Sequence, residues 1–346
     1  MPEKAAPSRS PESLKRDEEI HQFASRHLTG ENGDLYEQMI QTICRMAKDN
    51  AARAEVKLLQ RALGELRYGF KVFAPYRHTR KISIFGSSRT PESHPDYLAT
   101  VDFARKISER GWMVITGAGD GIMKAGHGGA GRAASFGVAI RLPFEQKTND
   151  IIENDAKLVN FRYFFTRKLM FVKEASAVAL FPGGFGTQDE GFEALTLIQT
   201  GKSALVPIVM CEQKGGSYWP AWKQYVEREL LGKGMISEAD MSLFFITDDV
   251  DAAVKNVCDF YRVYHSSRYV DDDLVIRLER PIGPATLQRV NDEFAGRVLK
   301  GGKIEQIDAS LPEEQGEHGH LPRLKMRFDK KSLGLLRRMI DIVNLD

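Results

Sequence analysis

Residues 176–193 read SAVALFPGGFGTQDEGFE, and the change of period inside this stretch decides the fold. SAVALF (176–181) is a short, nearly continuous apolar run, the pattern of a strand covered on both faces rather than one with a wet side. Pro182 ends it. Gly183, Gly184 and Gly186 then lead to Thr187, and beyond Thr187 the residues Phe192, Leu195 and Ile198 recur at helical spacing. Strand, glycine loop and helix make one unit of a parallel α/β sheet, with the loop at the carboxyl edge of the strand.

The same unit repeats outward. KISIFG (81–86), WMVIT (112–116), FGVAIRL (136–142), LVPIVM (205–210) and FFIT (244–247) are further apolar runs, separated by longer helical segments. The spacing predicts a doubly wound, Rossmann-like parallel sheet over residues 80–264. Such sheets bind ligands beyond the carboxyl ends of their strands. Three loops fall there: GSSR (86–89), TGAGDGIM (116–123) and PGGFGT (182–187).

On the amino side, residues 17–79 read as a helical segment, with Leu35, Met39, Ile43 and Met46, then Leu59, Leu63, Leu66 and Phe70, at helical spacing. Such helices pack on the main domain or on a partner subunit. Residues 1–16, rich in Pro, Ser, Lys and Glu, are expected to form a disordered arm. On the carboxyl side, SSRYVDDD reads as a linker into a small α+β appendage of order β-α-β-β-α over residues 265–346. HGH at 318–320 reads as solvated surface rather than as a pair of metal ligands.

Composition sets bounds. With 346 residues, 42% of them apolar and 28% charged, the chain reads as a soluble globular protein. Its 49 Lys plus Arg against 47 Asp plus Glu leave a net charge of +2, which gives no nucleic-acid signature. Cys44, Cys211 and Cys258 lack disulfide or zinc spacing. No apolar run reaches the roughly 18 residues of a membrane helix, and MPEKAAPSRSPESLKRDEEI has no signal-peptide core. A cytoplasmic location with no membrane partner follows by default.

The glycine loops narrow the ligand. Gly117, Gly119 and Gly121 give GxGxG where a dinucleotide fingerprint needs GxGxxG, and Arg141 stands where an acid is expected. Arg141 as a reader of a 2′-phosphate keeps that idea open. PGGFGTQDE lacks the Lys-Ser/Thr pair of a triphosphate P-loop. What remains is an uncharged backbone cradle suited to one phosphate, followed by the acids Asp189, Glu190 and Glu193.

At this point the motifs resemble a family. PGGFGTQDEGFE is similar to the PGGxGTxxExxE motif of the LOG ("Lonely Guy") family, long labelled lysine decarboxylases, and YFFTRKLM (163–170) resembles its upstream Arg-Lys motif. FGSSR, TGAGDGIMKAGHGGA and LPFEQ (142–146) match in order, so the resemblance covers roughly residues 80 to 262. It implies a nucleoside 5′-monophosphate phosphoribohydrolase that releases free base and ribose 5-phosphate, without cofactor or metal. Arg167 and Glu190 would then be catalytic. Gly183, Gly184, Gly186 and Thr187 would hold the phosphate, with Gly86, Ser87, Ser88, Gly119, Gly121, Lys168 and Glu193 also binding substrate. The chain departs from the family at Gln188, often apolar, and at Lys124, which makes the second loop more basic.

The chemistry is consistent with those residues. N-glycosidic cleavage passes through an oxocarbenium-like state, which a carboxylate beside the ribose stabilises more than it stabilises the ground state. Glu190 and Glu193 share a helix face, so both are expected to turn toward the ribose. Arg167 lies among Phe164, Met170 and Phe171 and needs an anionic partner, which is Glu190, the phosphate or the leaving base. It is placed near the middle of its helix, which leaves open a site shared between the subunits of a homodimer or higher oligomer. Gly86, Ser87 and Ser88, with Arg89, either line the pocket or form a turn. A carrier that binds the nucleotide without cleaving it is the alternative; no residue marks a Schiff-base lysine for a decarboxylase.

Overall fold

β1 (Lys81–Phe85), β2 (Met113–Thr116), β3 (Ser135–Ile140), β4 (Leu158–Phe161), β5 (Ala177–Leu180), β6 (Ile208–Cys211) and β7 (Phe244–Thr247) form one sheet in the order β4-β3-β2-β1-β5-β6-β7. All neighbours are parallel. The computed structural model describes residues 11–141, 148–308, 311, 314 and 318–346. The doubly wound sheet is therefore as the apolar runs imply, and the reason is visible in β2. Val114 packs with Ile82, Ile84 and Phe103 on one face, while Met113 and Ile115 pack with Phe136, Phe161 and Met170 on the other. Each such side chain contributes roughly 1.5–3 kcal/mol when buried, so a polar residue on either face would be costly.

Contacts divide the chain at 64/65 into two compact units. The first holds α1 (Pro11–His27), α2 (Gly33–Lys48) and the beginning of α3 (Arg53–Phe73). Residues 11–16 are thus helical instead of part of a disordered arm, while residues 1–10 lie outside the described residues. Leu35, Met39 and Ile43 of α2 are exposed.

The second unit runs from Glu65 to Asp346 and takes in the end of α3, the sheet and the appendage. Boundaries at 79/80 and 264/265 do not separate compact units, for a packing reason: Phe73 sits in the sheet core, and Val178 and Leu180 of β5 share one apolar cluster with Val290, Phe294 and Met339 of the appendage. Helices α4 (Pro95–Ser108), α5 (Ile122–Ala130), α6 (Phe164–Glu174), α7 (Phe185–Gln199) and α8 (Tyr218–Tyr225) connect the parallel strands, and α9 (Val250–Asp259) follows the last of them. The appendage carries β8 (Tyr264–Val270), β9 (Asp273–Leu278), α10 (Pro284–Val290), α11 (Gly296–Val298), β10 (Glu305–Ile307), β11 (Arg323–Met326) and α12 (Leu333–Val343). Its antiparallel sheet has the order β10-β11-β9-β8.

Two strands escape the sequence reading. SSRYVDDD is not a linker: most of it is β8, a sheet-edge strand whose polar residues hide its period, and it turns at Asp271 (φ 51°) into β9. The appendage is therefore β-β-α-β-β-α. The other is β4, which pairs with β3 and ends at the carboxyl edge, so α6 begins there and Arg167 falls in its first turn, not near its middle.

The three cysteines are free. His318 lies against His265 with ring centroids 4.7 Å apart, and among the described residues no group of three His, Cys, Asp or Glu could hold a metal. No described helix is long and apolar enough to cross a membrane.

Candidate functional site

The strand order reverses between β1 and β5, and the loops leaving these two strands meet there: the Ser87 amide donates to the Pro182 carbonyl at 3.0 Å. The loop after β2 closes over them, with the Ile122 amide donating to Ser87 O at 3.0 Å. Gly121 permits this approach. Its φ of +61° and the position a Cβ would take, against the Ser87 and Ser88 backbone, exclude other residues without rearrangement. A cavity of about 810 Å³ opens above this junction, at the topological switch point where such sheets bind ligands.

Gly86, Ser87, Ser88, Gly119, Arg167, Gly183, Gly184, Gly186, Thr187 and Glu190 all line the cavity, whereas Gly121, Lys168 and Glu193 do not. Gly121 acts beneath the floor, as the hinge of the second loop. Lys168 binds Asp189 at 2.8 Å and Glu193 at 2.9 Å, tying α6 to α7. Glu193 is thus turned to a lysine and does not share the cavity wall with Glu190.

The glycine loop after β5 ends at Gly184, the N-cap of α7. The first backbone N–H groups of the helix have no intrahelical acceptors and meet the positive end of the helix dipole. Gly183 is pinned by contacts the sequence did not reveal. Tyr218 OH donates to Gly183 O at 2.5 Å and receives a hydrogen bond from Gln188 Nε2 at 2.6 Å. Tyr218 is itself set by the buried Glu212, which accepts from the amides of Tyr218 and Trp219 at 2.9 and 3.0 Å. Gln188 therefore has a function here that an apolar residue would lack.

Arg167 enters from α6 of the same chain. Its Nε donates to Val138 O at 2.9 Å, and its guanidinium lies against Gly117 and over the Phe171 ring at 5.1 Å. Burial lowers its pKa, opposed by the charge of Glu190, yet among the described residues it forms no ion pair. Its two Nη atoms are left for a ligand. Glu190, only 9% exposed, sits one helical turn past the glycine loop. Burial pushes its carboxyl up to about 7, against the opposing pull of Arg167 and Lys168.

The second loop is held from behind. Ala118 has φ +62°, a strained conformation for a residue with a Cβ. The Asn149 amide donates to Ala118 O at 2.9 Å and Asn149 Nδ2 to Gly119 O at 2.9 Å. His127, fully buried, touches Asn149 at 3.2 Å and Thr116 Oγ1 at 3.0 Å, and its burial lowers its pKa, so it is neutral at pH 7. His127 lies within the stretch TGAGDGIMKAGHGGA, whereas Asn149 carries no motif signal. Lys124 does not make this loop basic toward the cavity, because it pairs with Glu92 at 2.8 Å and Asp150 at 3.5 Å. LPFEQ (142–146) lies outside the described residues.

Two of the lining side chains are apolar and open: Phe185 is 96% exposed and Phe164 is also exposed, as are Phe165, Leu169 and Phe192 elsewhere on α6 and α7.

Among known families, the one described as "Possible lysine decarboxylase" matches residues 119–257, which bears out the resemblance read from the motifs over that range. No curated protein matches the chain. Solved structures similar to it include the X-ray structure of TM1055, at 19% identity over 51% of this chain and 97% of that one with a TM-score of 0.38. The molybdenum cofactor carrier protein from Chlamydomonas reinhardtii is 19% identical over 52% of this chain and 96% of its own, with a TM-score of 0.37. The molybdenum cofactor binding protein from the phototrophic bacterium Rippkaea orientalis is 16% identical over 51% and 94%, with a TM-score of 0.37.

Proposed function

We propose that this chain hydrolyses the N-glycosidic bond of a nucleoside 5′-monophosphate to free base and ribose 5-phosphate. The observation that carries this reading is Glu190, a buried carboxyl in the cavity wall with its proton affinity raised to about 7, between a helix N-terminus and an unpaired guanidinium. A phosphate fits the amides that open α7, and Arg89 lines the same cavity. The ribose then lies along α7 toward Glu190, and the base toward Arg167.

In the reaction the C1′–N bond breaks with its electrons leaving on the base, and a water oxygen bonds to C1′. Ionised Glu190 stabilises the positive charge growing on the sugar ring and accepts the proton of that water. Arg167, through its free Nη atoms, offsets negative charge on the departing base, and the base takes up a proton as it leaves. Water and nucleotide are the only reactants. The exposed Phe164 and Phe185 support a second copy of the chain covering the cavity, so the proposed form is a homodimer or higher oligomer.

The test is to incubate the full chain with a panel of purine, pyrimidine and cytokinin-type nucleoside monophosphates and assay base and ribose 5-phosphate. Release from at least one is expected, with loss in Glu190→Gln. A folded protein that releases nothing, yet is thermally stabilised by a nucleotide recovered unchanged, would be a carrier instead.

A further inference from the structure

A second cavity, of about 430 Å³, lies at the opposite end of the sheet from the first. Its wall is built from the end of α3 and the turn after it (Phe70, Phe73, Arg77, Thr79), the first residue of β1 (Lys81), and the end of α6 with the turn into β5 (Lys173, Glu174, Ser176). Three cations therefore face one carboxylate.

Lys81 is the anomaly. Only 3% of its side chain is exposed, yet an ammonium carries three donors and, among the described residues, this one has a single hydrogen-bond acceptor, Thr79 O at 3.0 Å. Glu174 stands 3.9 Å away, too far for a hydrogen bond, and its carboxylate already holds Lys173 at 2.7 Å. A buried charge with most of its donors unmet is costly unless something supplies acceptors. Burial accordingly pulls the Lys81 pKa down, with Glu174 opposing and Lys173 assisting. Arg77 hydrogen-bonds only the Ala74 carbonyl, at 3.3 Å, and has no carboxylate partner among the described residues. Lys173 also sits over the Phe70 ring at 5.0 Å. Compensation of the α6 dipole accounts for Lys173, at the carboxyl end of that helix, but not for a buried lysine on a strand.

We propose that this cavity is a second anion site, taking a phosphoryl oxyanion on Lys81, Arg77 and Lys173, apart from the site at the glycine loop. The acceptors missing around Lys81 are those a phosphate or pyrophosphate oxygen provides, and Phe70 offers a flat apolar wall for a base if the phosphoryl group belongs to a nucleotide.

The experiment is isothermal titration of the full chain with inorganic pyrophosphate, in a background that closes the first site. Gly183→Ala does so, because a Cβ there meets Thr187 and comes within 2.9 Å of Ser87 N. That variant is expected to bind one pyrophosphate per chain. Adding Lys81→Met should weaken binding about tenfold or more, as lost charge-assisted hydrogen bonds imply. Adding Arg77→Ala, at an exposed position that leaves the core intact, should also weaken it. A parallel titration with a nucleoside diphosphate separates the sources: tighter binding than pyrophosphate assigns a nucleotide, equal binding assigns the free anion. Absence of binding in Gly183→Ala, or binding that neither Lys81→Met nor Arg77→Ala changes, overturns the proposal. Neither result bears on base release by the wild-type chain, which reports on the first site alone.

Discussion

Replacing Glu190 with glutamine is expected to stabilise the protein while abolishing turnover, and the size of the gain follows from the burial of the carboxyl. The folded chain holds the Glu190 proton up to about pH 7, whereas the unfolded chain releases it near 4.5. Between those values the folded state binds more protons, so stability falls as pH rises through that window and the loss is complete above pH 7. At ~1.4 kcal/mol for each tenfold in proton affinity, the ionised fold is penalised by about 3 kcal/mol. Glutamine has the shape of the protonated acid and does not titrate. Calorimetry of wild type and Glu190→Gln should show equal transition temperatures below pH 4.5 and a gap that widens to roughly 6 °C at pH 8, at about 2 °C per kcal/mol for a chain of this size. On the same samples kcat should fall roughly a thousandfold with KM little changed. A gap that does not depend on pH, or a wild type more stable than the variant at pH 8, refutes the assignment of Glu190 as a buried, penalised base.

Three further outcomes are expected. The pH profile of kcat/KM should rise through about 7 as Glu190 ionises; Lys168→Met, which removes a cation and leaves Asp189 and Glu193 unneutralised, should move that limb up by about one pH unit. An unmoved limb would mean that another group titrates. Tyr218→Phe should raise KM about fivefold with kcat within twofold, because one hydrogen bond on the Gly183 carbonyl is lost from the phosphate cradle; steady-state kinetics reads this directly. Phe185→Asp should convert the proposed oligomer to monomer in light scattering after gel filtration, and a monomeric wild type would overturn the proposal that a second copy covers Phe185.

The parallel core was legible because its strands are nearly continuous apolar runs, as in SAVALF and KISIF, separated by helical segments. β4 was not, since LVNF is four residues with an asparagine, a weak signal beside its neighbours. Missing it also misplaced Arg167, whose reach depends on α6 starting at the carboxyl edge. β8 hid for a different reason, as Ser266, Ser267 and Arg268 satisfy hydrogen bonds on a half-wet edge and show no apolar period. In the site, the glycines, Arg167 and Glu190 were legible as a motif, while Tyr218 and Asn149 were not. These act through the carbonyls of Gly183 and Gly119, far away in sequence, which no local pattern encodes. Glu193 and Lys124 were misread because a charge reveals its partner only when the partner is placed beside it.

The motif alone does not separate a catalyst from a carrier, since a helix N-terminus and a guanidinium would hold a phosphorylated ligand in either. The burial of Glu190 is what favours the proposed catalyst. A carrier gains nothing from a carboxylate held at 9% exposure beside a phosphate, because ionisation destabilises the fold and repels the anion it carries. The same placement is useful if a positive charge forms on the ligand, for then the low-dielectric wall strengthens the attraction at the moment of bond cleavage and only then. The strain at Ala118 fits the same logic: the buried Asn149 and His127 hold that backbone in place without a ligand, so the proposed reaction would not require the loop to reorganise.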